Sequence, residues 1–229
     1  MSENKMIPIY MFSHDYEEFY TYLSSIPHRE RHFQSDEAIW HLGEPLTNIY
    51  YFESGIAKTV IRHENGRQKL AYFHGKGTIS PCAHATVFQL DLSIVMQAIT
   101  PVDTLEFALD DFMSALRGNI NLALRLIEVY AHVVNIGLFE GATQPYNDMK
   151  TTLCNLLYLL KKGSPRSRQV IQLSQQSIAD ILCTDRAYVA RYLSQLKKEG
   201  IITSRRGKIE VVDDEKLLNY CTSDLTETL

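Results

Sequence analysis

Residues 173–202 read LSQQSIADILCTDRAYVARYLSQLKKEGII, and the rest of the chain is understood outward from this stretch. Ser174 stands as the N-cap of a short helix whose apolar residues Ile178, Ile181 and Leu182 recur at i, i+3 and i+4. Cys183 and Thr184 are the turn. Asp185 is expected to cap a second helix that runs to about Glu199, where Gly200 stops it. In that helix Val189, Leu193 and Leu196 share one face. At about 100° per residue Ala187, Ala190, Arg191 and Ser194 share the other, with Arg186 beside them at the N-terminal end. Two helices joined by a tight turn, the second apolar on one side and basic-polar on the other, make a helix-turn-helix. Its outer face suits the DNA major groove, where arginine pairs bidentately with guanine. The residues expected at that surface are Ser174, Gln175, Arg186, Ala187, Tyr188, Ala190, Arg191, Lys197 and Arg205. Lys197, Lys198, Arg205 and Arg206 are placed for phosphates, which supply affinity without sequence information. Residues 201–203 and 206–212 read as a two-stranded wing.

Charge divides the chain in the same way. Residues 149–208 hold twelve Lys/Arg against three acids, a balance of +9 that leaves −13 for the rest of a chain of net charge −4. A basic module joined to an acidic one fits a polyanion-binding domain attached to a sensor. Upstream, residues 151–162 read as a helix broken by Gly163-Ser164-Pro165, and residues 141–148, with Pro145, as a hinge. From Ile120 to about Glu140 a long helix carries two apolar stripes. One is Ile120, Leu124, Ile127, Ala131, Val134 and Leu138, at heptad spacing. The other is Ala123, Leu126, Tyr130 and Val133. One stripe can pack on the body and the other on a second copy of the chain, or both can be buried within one subunit. Before this helix, Asp110 is expected to cap a short helix ending near Gly118-Asn119.

Residues 37–109 read as β-structure: short runs rich in Ile, Val, Tyr and Phe between turn signals. Strands are expected over 49–52, 56–62, 68–74, 92–99 and 104–109, with Asn65-Gly66 as a type I′ hairpin turn. Strands at this spacing make an antiparallel, jelly-roll-like β-roll. Residues 10–25 read as a helix stopped near Pro27. The fold class is therefore α+β, with domains at 1–110 (sensory roll), 111–143 (short and long helices) and 144–229 (winged helix-turn-helix).

The run Leu-x-Gln-x-x-Ile-Ala-x-x-Leu-x-Thr-x-Arg-x-x-Val-x-Arg-x-Leu-x-x-Leu-x-x-x-Gly-Ile-Ile over 173–202 closely resembles the winged helix-turn-helix of the Crp-Fnr superfamily. Tyr51-Phe52-x-x-Gly55-Ile-Ala-Lys58 and the Gly66 hairpin resemble that family's cyclic-nucleotide-binding-type roll. The resemblance implies a cytoplasmic homodimer joined through the long helix. It would bind a pseudo-palindromic double-stranded DNA site and meet RNA polymerase if it is an activator. Arg186 and Arg191 match two of the family's usual recognition trio. Ala187 stands where its acidic member is common, and Cys183 where a turn glycine is common. The family's cyclic-nucleotide cradle is missing: no glutamate follows Gly77, and Leu92 replaces the phosphate-binding arginine, so cyclic AMP is not the expected effector. The roll is instead similar to that of halorespiration regulators, which sense chlorinated phenols. Tyr72, Phe73, His74, Lys76 and Ser80, with Tyr130 and His132, are then candidates to line a pocket for an aromatic or chlorinated phenolic compound. Taken singly, Tyr72 and Tyr130 read more readily as core aromatics, and Lys76 as a solvated turn residue.

Other classes find little support. No 18-residue apolar run and no export signal are present, so neither a membrane partner nor secretion is expected. Cys82, Cys154, Cys183 and Cys221 are dispersed and read as free, mostly buried thiols, and no metal or cofactor motif appears. No nucleophile elbow, P-loop or paired-carboxylate motif points to an enzyme. Two alternatives to an effector-gated regulator stay open: a regulator that needs no effector, and a dimeric interaction module whose helix-turn-helix does not bind DNA.

Overall fold

Period-two patterning draws the first half of the chain into two sheets. A computed structural model describes residues 10–40, 47–81, 94–162, 170–171, 173–205 and 208–226 of the protein. The first sheet runs β1 (Met11–Phe12), β6 (Gln68–His74), β5 (Ala57–Arg62), β8 (Ile94–Ala98) and β3 (Ala38–Trp40). The second runs β2 (Arg29–Phe33), β9 (Val102–Ala108), β4 (Asn48–Ser54) and β7 (Ile79–Ser80). Every neighbouring pair is antiparallel except β1, which lies parallel to β6. Phe33, Trp40, Phe52, Met96 and Val102 join the inner faces in one buried cluster. Gly55 turns β4 into β5 with φ +81, and a Cβ there would lie 2.1 Å from the Pro101 carbonyl oxygen. Only glycine satisfies both demands, which explains its place in the motif.

Three local expectations are corrected here. Residues 10–25 are not one helix: β1 comes first, then a 3-10 turn Glu17–Phe19 and a five-residue helix α1 (Tyr20–Ser24). The Asn65-Gly66 hairpin is not type I′. Only Gly66 has positive φ; its amide donates to the His63 carbonyl (3.0 Å) and the His63 amide to that of Arg67 (2.9 Å). That is a three-residue loop with the left-handed residue last, so one residue more than expected leaves the strand. Asp110 does not cap the next helix, α2 (Leu109–Gly118); Ala108 holds the N-cap position, and Asp110 lies in the first turn near the positive end of the helix dipole.

Asp15, between β1 and the 3-10 turn, keeps one carboxylate oxygen buried with no hydrogen-bond partner among the described residues. Burial lifts its pKa to about 6, against the pull of Arg125 and His14. A carboxyl raised above its unfolded value of 3.8 contributes stability below about pH 4 and loses it as pH rises through 6. Asp15→Asn is therefore expected to add on the order of 1–2 kcal/mol at about pH 8, after discounting for solvent screening, and nothing at about pH 3.5. Thermal melts at both pH values measure this, and an equal shift at both would refute it.

By backbone contacts the chain forms two units, residues 11–131 and residues 132–229 with Tyr10, divided inside the long helix α3 (Ile120–Thr143). The heptad stripe of α3 faces solvent: Ile120 is 68% exposed, Ile127 65% and Leu138 68%. The inward stripe is Leu122, Leu126, Val129 and Ile136. It is rotated from the expected Ala123, Leu126, Tyr130 and Val133, of which only Leu126 is fully buried. By length and composition α3 is apolar enough to cross a membrane, the one such helix among the described residues. Arg125, however, is paired with Glu18 (3.0 Å) and Glu128 (2.9 Å).

In the second unit α4 (Met149–Lys162) buries Leu153, Leu156 and Leu157. The wing has three strands rather than two: β10 (Val170–Ile171), β12 (Lys208–Val211) and β11 (Ile202–Arg205), all antiparallel. Two short helices, α7 (Asp214–Leu218) and α8 (Ser223–Thr226), follow after those of the helix-turn-helix.

Candidate nucleic-acid interface and sensor residues

The helix-turn-helix is built from α5 (Gln175–Ile181) and α6 (Arg186–Lys198). The Ser177 amide donates to Ser174 Oγ (2.9 Å), so the expected cap forms. Cys183 takes the turn with φ 52, a left-handed conformation that a side chain disfavours by about 1 kcal/mol. Asp185 holds the N-cap position of α6, but its side chain makes no capping bond. At the far end the Ile201 amide donates to the Leu196 carbonyl (3.0 Å) and that of Gly200 to Lys197 (3.1 Å), with Gly200 at φ +71. This is a Schellman stop.

Val189, Leu193 and Leu196 are buried, which fixes the roll of α6 and turns Arg186, Ala187, Tyr188, Arg191 and Ser194 outward. Ala190 is half-buried beneath them. Arg191 is held in place. Its guanidinium lies 5.0 Å from the Tyr188 ring centroid and 4.7 Å from that of Tyr192, and Nη2 donates to the Tyr192 hydroxyl (3.0 Å). Tyr192 was not among the expected contact residues, although its place one residue beyond Arg191 is legible. A groove of about 450 Å³ runs between α5, α6 and the wing, lined by Ser174, Gln175, Gln176, Arg186 and Ser204. Lys197, Lys198 and Arg205 are exposed, whereas Arg206 lies outside the described residues.

Two of the twelve cations counted above serve the fold instead. Lys150 reaches Glu199 (3.3 Å) and sits 3.5 Å over the Tyr220 ring, and Lys161 pairs with Asp214 (2.5 Å). Of the four cysteines, Cys154 is buried, Cys221 half-buried and Cys183 exposed, while Cys82 lies outside the described residues. Burial pushes the Cys154 and Cys221 thiols up to about 12, so both stay protonated at neutral pH.

In the roll, the alternation of β6 puts Tyr72 and His74 on one face and Phe73 on the other. His74 is fully buried, stacked on Phe52 (5.5 Å, 10° between planes) and edge-on to Tyr72 (5.2 Å). Its Nε2 lies 2.8 Å from Thr59 Oγ1 and 3.4 Å from Ser80 Oγ. Burial drops its pKa to about 3, so the ring is neutral. His74 Nδ1 and Thr104 Oγ1 are buried with no hydrogen-bond partner among the described residues, and register sets Thr104 beside Phe52. Sequence reading missed Thr59 and Thr104, because only the pairing of strands brings Thr59 to His74 and Thr104 to Phe52. Lys76 stands apart, in an exposed cleft with Glu17 (3.8 Å), Tyr20, Tyr51 and Glu53. Tyr130 and His132 are half-buried on α3. Leu92 and the stretch around it lie outside the described residues. Among the described residues no three His, Cys, Asp or Glu side chains converge as a metal site would require.

Comparison with known proteins agrees with this layout. Residues 30–119 match the cyclic nucleotide-binding domain, and residues 152–220 the Crp-like helix-turn-helix domain. A global nitrogen regulator of Nostoc sp. is 23% identical over 185 residues, covering 78% of this chain and 83% of the relative. Among solved structures, a cysteine-to-serine variant of CprK complexed with OCPA superposes with a TM-score of 0.74 at 23% identity, over 93% of this chain and 97% of that one. FixK2 from Bradyrhizobium japonicum gives 0.72 at 19% identity, over 86% and 98%.

Proposed function

The chain belongs to the Crp-Fnr superfamily of transcription regulators, and on that footing we propose that it is a homodimeric, sequence-specific DNA-binding regulator gated by a small-molecule effector other than cyclic AMP. The observation that carries the reading is the outer face of α6. Two exposed arginines, Arg186 and Arg191, stand there over a buried apolar seam; Arg186 also lines the groove, and Lys197, Lys198 and Arg205 are exposed. Arginine forks fit guanine edges, and the exposed Lys197, Lys198 and Arg205 fit phosphates. The division of labour is a sensory roll at 1–110, a dimerisation segment at 111–143 and a DNA-binding domain at 144–229, acting in the cytoplasm. Contact with RNA polymerase follows if the regulator activates.

The effector reading rests on the His74 group. A neutral imidazole among Tyr72, Phe52, Thr59 and Ser80 suits an aromatic ligand with a hydroxyl group, such as a phenol. The o-chlorophenolacetic acid found in complex with oxidized CprK belongs to that chemistry. Lys76 is the less favoured contact, because it already faces Glu17.

Selecting genomic fragments on the purified protein, with and without chlorinated phenols and aromatic acids, tests the proposal. A palindrome with half-sites about 10 bp apart is expected, and its enrichment falls steeply as salt rises. Equal enrichment without ligand would favour the effector-independent regulator. No enrichment under any condition would overturn DNA binding in favour of an interaction module.

A further inference from the structure

The outer face of α6 carries more than two arginines. Ala187 follows Arg186 directly, is exposed, and has no polar side-chain atom. It can neither accept from the cytosine amino group nor donate to guanine, and offers the groove only a methyl group. The one apolar group that a base pair presents in the major groove is the 5-methyl of thymine. On the same face Arg191 is gripped between Tyr188, which is 46% exposed, and Tyr192. An arginine already fixed in one pose loses less rotamer freedom on binding, and its fork points one way.

We propose that Ala187 reads a thymine methyl group in each half-site. Beside it Arg191 contacts guanine, and Tyr188 and Tyr192 are positioning residues that hold Arg191 for that contact. This deepens the DNA-binding reading above and rests on it. The thymine is recognised by shape and the guanine by a pre-set fork, so the half-site is specified without the acidic residue that would select cytosine.

The test starts from the half-site that the full-length protein selects from random duplexes at low salt, where phosphate contacts strengthen every complex. Each thymine is then replaced singly by deoxyuridine, which removes only the 5-methyl. One position is expected to lose about fourfold in affinity, the worth of a buried methyl group. Ala187→Gly abolishes that difference, and Ala187→Glu moves the selected base from thymine to cytosine. Tyr188→Ala lowers discrimination at the guanine about tenfold with an unchanged melting temperature, on the order of one bidentate contact loosened. Tyr188→Phe, which keeps the ring, restores it. Deoxyuridine tolerated at every position, or a penalty that persists in Ala187→Gly, overturns the thymine assignment. Equal discrimination by Tyr188→Ala and wild type overturns the positioning role. If no sequence is selected at all, the DNA-binding reading itself fails and takes the proposal with it.

Discussion

Arg186→Ala combined with Arg191→Ala is expected to bring binding of the selected palindrome down to the level of random DNA. Each bidentate arginine–guanine contact discriminates by about 1–3 kcal/mol, and a two-fold dimer counts both arginines twice. Specific sites of such proteins exceed random DNA by roughly a thousandfold or more, so the loss is expected to reach at least that size. The variant keeps Lys197, Lys198 and Arg205, all exposed, and therefore keeps its salt-dependent affinity for any duplex. It also keeps Val189, Leu193 and Leu196, whose burial seats α6, so the melting temperature moves little. Anisotropy titrations with the palindrome and with a random duplex, at two salt concentrations, separate the two kinds of binding. A double variant that still prefers the palindrome as strongly as wild type would mean that other residues read the bases.

How far the sequence could be read depended on whether a feature is local. The helix-turn-helix was legible because a helix exposes its packing in its own spacing: Ile178 and Ile181 on α5 with Leu182 at its C-cap, and Val189, Leu193 and Leu196 on α6, are all buried as their periodicity requires. The strand Gln68–His74 was likewise legible to the residue. The hairpin before it was misread because Asn-Gly occupies either a two-residue or a three-residue loop, and the choice depends on strand register. The N-terminal segment failed for a related reason. Phe12, Tyr16 and Leu23 are buried and fit a helical face, yet Met11–Phe12 pairs with residues 73–74, some sixty positions away. Pairing at that distance leaves no trace in local pattern. The same holds for the neighbours of His74: Thr59 comes from β5 and Ser80 from β7, one from each sheet, and the two sheets must form before they meet. Charge counting erred in the opposite direction, since Lys150 and Lys161 lie in the basic stretch but spend their charges on Glu199 and Asp214.

Ile127→Glu with Val134→Glu is expected to convert the protein from dimer to monomer. The two residues lie seven apart on the exposed stripe of α3, 65% and 56% accessible in a single chain, within a 4-3-4-3-4 run from Ile120 to Leu138. An apolar row that long is costly to leave in water, and heptad spacing is what lets a helix meet a second copy of itself along a shared axis. Each large aliphatic side chain is worth about 1.5–3 kcal/mol when buried, and two-fold symmetry doubles every substitution. Two changes therefore remove about 6 kcal/mol or more, which shifts the dimer dissociation constant by at least about 10,000-fold. Burying facing glutamates adds a further penalty. The inward stripe, Leu122, Leu126, Val129 and Ile136, is untouched, so helix content by circular dichroism stays as in wild type. Sedimentation would show the monomer, and DNA binding would report the consequence. The palindrome loses the advantage of two linked recognition helices, while an isolated half-site is bound as weakly as by wild type. If the double variant sediments as wild type does, the stripe is not the dimer seam, and the copies must meet through another surface.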